Sequence, residues 1–198
     1  VIYWTENDTN ITFTAGVELN SGTQYFISVR ATDGAENVSA IVTSNGITID
    51  SSNPIVSNIN EGSTVQDFDY QQDETSLVIS WGGSDDTRSF FRNGRAVNGY
   101  RVTLGSSTGD SNVVDWVTLG NSNEYTFSGL ALEEAVTYYA SVQAEDLAGN
   151  LSDIISGDGI TIDQSGPVPG TLNDGLDADI DWVNINYLAI GTWTGFED

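Results

Sequence analysis

The sequence predicts an all-β protein made of tandem Greek-key β-sandwiches, and two observations lead to this prediction. Apolar residues alternate with polar ones in several short runs, as in Leu77, Ile79 and Trp81; a period of two is the pattern of strands with one buried face. Clusters of Gly, Ser, Asn and Asp at 82–86 and 105–110 separate these runs and favour turns. Because no window has a helical period, we expect short strands spaced by turns over about 100 residues.

The composition excludes several classes of function. The 198 residues include 29 acidic and 5 basic side chains, for a formal net charge of −24. The chain has no Cys and no His, and all five basic residues are Arg, so thiolate, imidazole and lysine chemistry and Cys/His zinc sites are excluded. Nucleic acid is not an expected partner, because its binding needs a positive surface. No apolar run has the length of a transmembrane helix, so we expect no membrane insertion in this segment.

The chain contains an internal repeat. The run GITID at 46–50 recurs at 159–163, which is 113 residues later, and identical residues pair at the same offset over a much longer stretch. A second block, shifted by 112 to 113 residues, pairs Trp81 with Trp193. Repetition at a fixed period is the signature of an array of similar units.

The repeat sets the predicted domain limits. In this register, residues 1–50 are the C-terminal half of one module, 51–163 a complete module, and 164–198 the N-terminal part of a third. We therefore expect a segment of a longer polypeptide, with short linkers at 50–54 and 163–167 that contain Pro54 and Pro167.

Residues of the complete module resemble the fibronectin type III pattern. Trp81 on an early strand, NGYRV at 98–102 on the next, and Gly129, Leu130, Tyr138, Val142 and Ala144 carry the resemblance. It implies an immunoglobulin-like sandwich in which Tyr25 and Tyr138 bond backbone groups as corner tyrosines. The implied strands are A near 55–59, B 76–81, C 98–104, C′ 113–119, E 124–127, F 136–145 and G 159–163.

The spelling Ala-x-Asp-x-Ala-x-Asn-x-Ser at 31–39 and 144–152 resembles fibronectin type III arrays of secreted bacterial proteins. This implies an extracellular, non-catalytic segment: a spacer, stalk or adhesive filament of a large surface protein. The alternative is an accessory array of a secreted polysaccharide-degrading enzyme. We expect no catalytic residues, since the adjacent carboxylates lie on predicted turns with no sign of a cleft.

Calcium is the candidate metal ion, and no other cofactor is expected. The implied topology brings the B–C loop, the F–G loop and the incoming linker to one pole, where carboxylate and amide oxygens could hold a hard cation. The alternative is that the F–G residues only close a turn. The candidate residues are Asp50, Asp85, Asp86, Asp146 and Asn150.

A weaker calcium candidate lies in a second acidic stretch. It comprises Asp174, Asp177, Asp179 and Asp181, which the repeat matches to Glu61, Asp67 and Asp69.

An arginine-rich insertion is the one local reversal of charge. Guanidinium groups pair with carboxylates and stack on aromatic rings, and the most abundant acidic surface is this protein itself. The expected partners are therefore neighbouring modules of the same chain or other copies in a fibre; recognition of a host protein and a flexible, solvated loop are the alternatives. The candidate residues are Arg88, Phe90, Phe91, Arg92, Arg95 and Arg101.

Aromatic residues recur at matching places in the repeat. Trp81 and Trp193 follow the inward period of strand B and are predicted core residues, while Tyr70 and Trp182 share another position. Packing is the favoured interpretation of this second pair, and sugar binding by exposed rings is the alternative.

Overall fold

The computed structural model describes residues 16–84, 97–175, 179–184, 186 and 190–197. All regular secondary structure in that part of the chain is β-strand. The strands are β1 (Gln24–Tyr25), β2 (Ser28–Val29), β3 (Val42–Thr43), β4 (Ile47–Thr48), β5 (Ile55–Glu61), β6 (Tyr70–Gln71), β7 (Ser76–Ser84), β8 (Val97–Gly105), β9 (Val114–Leu119), β10 (Glu124–Ser128), β11 (Thr137–Asp146), β12 (Ile155–Ser156), β13 (Ile160–Ile162), β14 (Thr171–Asp174) and β15 (Gly191–Thr194).

Strands β5 to β13 form the central sandwich. One sheet has the order β10-β7-β5, and the other has the order β6-β13-β11-β8-β9, with β12 paired to β11. This is the fibronectin type III-like arrangement of strands E-B-A over G-F-C-C′. The predicted all-β sandwich class is therefore confirmed, and the seven implied strands agree with β5, β7 to β11 and β13 to within a few residues. The parallel pairing of β6 with β13 was not predicted.

The core lies between the two sheets of the central sandwich. Leu77, Ile79 and Trp81 point into it from β7, as their alternation predicts, and are almost completely buried. The Trp81 ring meets Tyr100 of the opposite sheet edge-on at 5.3 Å between centroids. Burial of large apolar side chains like these supplies most of the stability of such a domain.

Two smaller groups of strands flank the central sandwich. In the leading segment, residues 16–50, β1 pairs with β4 and β2 pairs with β3; in the trailing segment, residues 164–197, β14 pairs with β15. The pairings of the leading segment repeat those of β11 with β13 and with β12 at the 113-residue offset. The predicted domain limits themselves stay predictions.

The predicted core role of Trp193 is wrong for this structure. Its side chain is 69% exposed, whereas Trp81 is 4% exposed. Both residues pair with the matching strand neighbour, Leu172 for Trp193 and Ile59 for Trp81. The difference arises because no second sheet covers β15 in the part of the chain that the structure describes.

Among the described residues, the structure holds no apolar helix of the length that a membrane crossing requires.

Candidate functional site

The predicted junction site brings three of its five residues together. Asp146, at the end of β11, is 1% exposed. One carboxylate oxygen accepts the backbone N–H groups of Ala148 and Asn150, each at 2.8 Å, and the other accepts the Asn150 side-chain amide at 2.7 Å. That same amide nitrogen lies 3.3 Å from the Asp50 carbonyl oxygen. Asn150 therefore connects the F–G turn to the incoming linker.

The same turn occurs in the leading segment. Asp33 accepts hydrogen bonds from the N–H groups of Ala35 and Asn37 and from the Asn37 side chain, each at 2.9 Å. The side-chain and backbone bonds from Asn37, followed by the Ala35 bond, lower the pKa of Asp33 below its usual value. The recurrence favours the turn-closing interpretation of these Asp and Asn residues.

Calcium at the junction stays a prediction. The Asp146 oxygens face N–H groups of their own loop, and Asn150 presents its amide nitrogen, not its oxygen, to Asp50. Asp85 and Asp86 lie outside the described residues.

A buried carboxylate, which the weaker calcium candidate included, lies at the other end of β5 from the linker. Glu61 ends β5 and is fully buried. Its Oε1 accepts the backbone N–H of Ala140 at 2.6 Å, and its Oε2 accepts the N–H of Gly159 at 2.7 Å. A Cβ on Gly157 would overlap this carboxylate. Glu61 thus joins β5 of one sheet to β11 and to the start of β13 in the other.

Two further carboxylates surround Glu61. Oxygen atoms of Glu61, Asp67 and Asp158 all lie within 4.8 Å of one another. Burial raises the pKa of Glu61 to about 7, against the lowering effect of the two N–H groups, and the negative charges of Asp67 and Asp158 raise it further. Three carboxylates at this separation repel when all are ionised, so the cluster favours a bound proton or a hard cation.

Sequence reasoning found only part of this cluster. The third carboxylate of the cluster is not Asp69, which the second acidic stretch included, but Asp158, which is distant in the sequence. No local pattern marks Asp158, since it comes near only because β12 and the turn that follows it pack against β5. The trailing segment repeats the local part: the N–H of Asp174 donates to Asp179 at 3.1 Å, as that of Glu61 does to Asp67 at 2.6 Å. Asp181 is exposed, and Asp177 lies outside the described residues.

Only one residue of the predicted interaction set is described. Arg101 on β8 stacks over the Trp116 ring of β9, with 4.5 Å from its guanidinium carbon to the ring centroid. Its Nε donates to Gln143 Oε1 of β11 at 2.7 Å. Arg101 therefore holds neighbouring strands of its own sheet together, and its role in docking stays a prediction. Arg88, Phe90, Phe91, Arg92 and Arg95 lie outside the described residues.

The recurring aromatic position is not a packing position. Tyr70 is 66% exposed and Trp182 is 90% exposed, so the favoured packing interpretation is wrong for both. The two corner tyrosines behave as expected: the hydroxyl oxygen of Tyr138 accepts the N–H of Glu133, and that of Tyr25 accepts the N–H of Asn20, both at 2.9 Å.

Comparison with known proteins finds similarity to a curated enzyme and to solved structures. No family model matches the sequence. Exoglucanase B of Cellulomonas fimi is 27% identical over 206 residues, which cover 96% of this chain and 17% of that protein.

Solved structures that are similar to the chain include titin domains and a human fibronectin type III domain. A crystal structure of titin domains has a TM-score of 0.48 at 15% identity, over 73% of this chain and 43% of that one. A fibronectin type III domain from the human KIAA0970 protein has a TM-score of 0.32 at 20% identity, over 60% of this chain and 77% of that one.

Proposed function

We propose that this chain is a non-catalytic spacer segment, made of tandem fibronectin type III-like modules, of a large extracellular protein. The observation that carries the proposal is the recurrence of whole structural devices at one offset. The corner tyrosine bond, the Asp–Asn turn and the strand pairings appear at 16–50 and again 113 residues later. A protein that repeats one architectural unit extends in length, which is the task of a spacer.

The joint at 50–54 is built for a defined angle. Asn150 of the central sandwich bonds the Asp50 carbonyl, the Ser51 N–H donates to Ser21 of the leading segment at 3.1 Å, and Pro54 is buried. The linker is thus fastened on both sides, and proline restricts its remaining backbone freedom. A fixed joint between like-charged units supports an extended array.

The described carboxylates support a non-catalytic role. Asp146 is engaged within its own turn and Glu61 is closed off from solvent. A catalytic pair needs a site that substrate can enter, with two carboxylates of different pKa facing it. We expect no release of reducing ends when the chain is incubated with soluble β-glucan, and sustained release would contradict the proposal.

A second candidate function is an accessory array of a glucan-degrading enzyme. The similarity to Exoglucanase B favours it, because the match covers nearly all of this chain and only 17% of that protein. In this case the spacer would separate a catalytic domain from the rest of its polypeptide. A stalk and an accessory array both need a fixed joint between modules. They differ in the surface or polymer that the array contacts.

The joint can be tested by the distribution of distances across it. The chain has no Cys, so thiol-reactive dyes label only cysteines that are introduced. One cysteine on an exposed site of the leading segment and one on the central sandwich allow the distance between two dyes to be measured. We expect one narrow distance distribution that broadens in Asn150→Ala. Asn37→Ala is the matched control, since it removes the same turn bond without touching a linker contact described for Asn150. A broad distribution in the unaltered chain would contradict the proposal.

A further inference from the structure

We propose that the outer face of β6, β13 and β11 is a binding platform for a neutral polysaccharide chain. The platform consists of Tyr70, Thr161, Thr137 and Tyr139. The inference deepens the proposed function, because it names the ligand class that an accessory or adhesive array would contact.

Strand register places the four side chains on one face. Thr161 pairs with Tyr70 across the parallel β13–β6 ladder and with Thr137 across the antiparallel β13–β11 ladder. Directly paired residues project to the same side of a sheet. Tyr139 follows Thr137 by two residues on β11 and therefore also lies on that side. Ile160 and Ile162 alternate with Thr161 and are fully buried, so the platform faces away from the core.

The platform carries two aromatic rings at its ends and two hydroxyl groups between them. Tyr70 is 66% exposed at the edge of the sheet, and Tyr139 is half-buried two strands away. Two strand spacings of about 5 Å, together with the two-residue offset of about 7 Å along β11, place the Cα atoms of Tyr70 and Tyr139 about 12 Å apart, a separation comparable to the length of two to three linked pyranose rings. The hydroxyl groups of Thr137 and Thr161 hydrogen-bond each other at 2.8 Å and can still donate to or accept from a ligand.

The ring of Tyr139 is held in place before any ligand arrives. Gly159 lies beneath it: a Cβ on this glycine would lie 2.7 Å from the ring and 2.7 Å from the Thr137 methyl group. The leading segment repeats the arrangement, since a Cβ on Gly46 would lie 2.8 Å from the Phe26 ring. A ring that is already ordered loses little entropy on binding, which favours affinity.

Both aromatic positions recur in the repeat. Trp182 occupies the Tyr70 position and is 90% exposed, and Phe26 occupies the Tyr139 position and is 57% exposed. The outer face of a sandwich sheet is ordinarily polar, so a retained pair of rings there needs a reason other than the core. Exposed apolar groups that cluster mark interaction sites.

Charge selects the class of ligand. All four platform side chains are uncharged in a chain of net charge −24, so an acidic polymer or a second copy of this chain meets long-range repulsion. A neutral polysaccharide meets none, its sugar rings offer apolar C–H faces to Tyr70 and Tyr139, and its hydroxyl groups match Thr137 and Thr161.

The test measures adsorption of the whole chain to three insoluble neutral polysaccharides: cellulose, xylan and mannan. We expect the chain to bind at least one of them, and Tyr70→Ala to weaken that binding about tenfold, the effect of losing one stacking ring. Tyr139→Phe keeps the ring and should retain most of the binding. Leu147→Ala is the matched control, because Leu147 is also 66% exposed but lies on the F–G turn.

Three results would overturn the platform. These are no adsorption to any of the three polymers, adsorption that Tyr70→Ala leaves unchanged, or adsorption that high salt abolishes, since a neutral ligand gives no ionic contact to screen. Unaltered thermal unfolding of Tyr70→Ala would show that a loss of binding is not a loss of fold. The joint measurement described above is independent of all these results, so the spacer proposal and the platform can fail separately.

Discussion

The leading segment and the central sandwich contain matching residues in matching strand pairs, yet they differ in burial. Val142 and Ile160 are fully buried, whereas their counterparts Val29 and Ile47 are each 61% exposed. The Tyr138 and Tyr25 hydroxyl groups, by contrast, each accept the backbone N–H of the residue five positions earlier, both at 2.9 Å. Turns and short strand pairs are thus formed by nearby sequence, whereas burial needs an opposite sheet. Equivalent substitutions in the two regions therefore separate the contribution of local hydrogen bonds to stability from that of burial.

The largest expected difference concerns the core position of β13. Ile160→Ala should lower the free energy of unfolding by about 3 kcal/mol, because it leaves a cavity between the sheets. Ile47→Ala removes the same atoms from an exposed position and should change the free energy by less than about 0.5 kcal/mol. Urea unfolding followed by tryptophan fluorescence measures both. Equal losses would mean that the leading segment has a covered apolar face in solution.

The next difference concerns the pH dependence that Glu61 confers. Because burial raises the pKa of Glu61 to about 7 from 4.5, the folded protein keeps a proton that the unfolded chain releases. The stabilisation that comes from this bound proton is therefore complete below pH 4.5 and is lost as the pH rises to about 7. The free energy of unfolding should fall by roughly 3 kcal/mol over this range.

The measurement compares urea unfolding between these pH values in the unaltered chain, in Glu61→Gln and in Asp174→Asn. Glu61→Gln should flatten the dependence on pH, while Asp174→Asn, at the matching but exposed position of the trailing segment, should leave it unchanged. If the free energy of unfolding of Glu61→Gln depends on pH as steeply as that of the unaltered chain, other carboxylates cause the dependence.

A smaller effect is expected at the Asp–Asn turns. Asp146→Ala removes a buried acceptor from three part-buried hydrogen bonds and should lower the free energy of unfolding by about 2 kcal/mol. Asp33→Ala removes the same bonds from solvent-exposed groups, where water replaces them, and should cost clearly less. Thermal unfolding of the two variants measures this difference. A larger loss of stability in Asp33→Ala than in Asp146→Ala would contradict the prediction that the less exposed bonds contribute more.

The smallest effect is expected at the corner tyrosines. Tyr138→Phe keeps the buried ring and removes one hydrogen-bond acceptor for the Glu133 N–H, at a cost of about 1 kcal/mol. Tyr25→Phe should cost less, because the Asn20 N–H is exposed and water can take the place of the hydroxyl. Amide hydrogen exchange at Glu133 and Asn20 reports the two bonds directly, and equal protection in variant and unaltered chain would show that the hydroxyl contributes nothing.

The fold was predictable because apolar residues alternate with polar ones along its strands. Leu77, Ile79 and Trp81 on β7 and Tyr138, Ala140 and Val142 on β11 each face the core, and the turn residues between strands set their limits. The exposure of Trp193 could not be predicted in the same way. Its periodicity matches that of Trp81, but periodicity identifies a face and does not supply the sheet that covers it.

The sites were harder to predict than the fold. The topology correctly brought Asp50, Asp146 and Asn150 to one pole, because loops at one end of a sandwich are fixed by strand order. The Glu61–Asp158 contact depends on how the turn after β12 meets β5, and the Tyr70–Tyr139 platform depends on how β13 pairs with β6. Strand β6 is only two residues long. A strand of two residues is too short to show an alternation of apolar and polar residues in the sequence. The contacts around it are therefore known only from the structure.

The parallel pairing of β6 with β13 determines how the central sandwich would respond to pulling. The chain enters at β5, whose continuation is β6, and leaves at β13. The Thr161 N–H donates to the Asp69 carbonyl at 2.8 Å, and the Asp163 N–H donates to the Gln71 carbonyl at 2.9 Å. Tension on the two ends would slide these strands past each other and strain both bonds at once instead of unzipping them singly. We therefore expect this short parallel ladder to resist stretching of the sandwich more strongly than an antiparallel pair of the same length would.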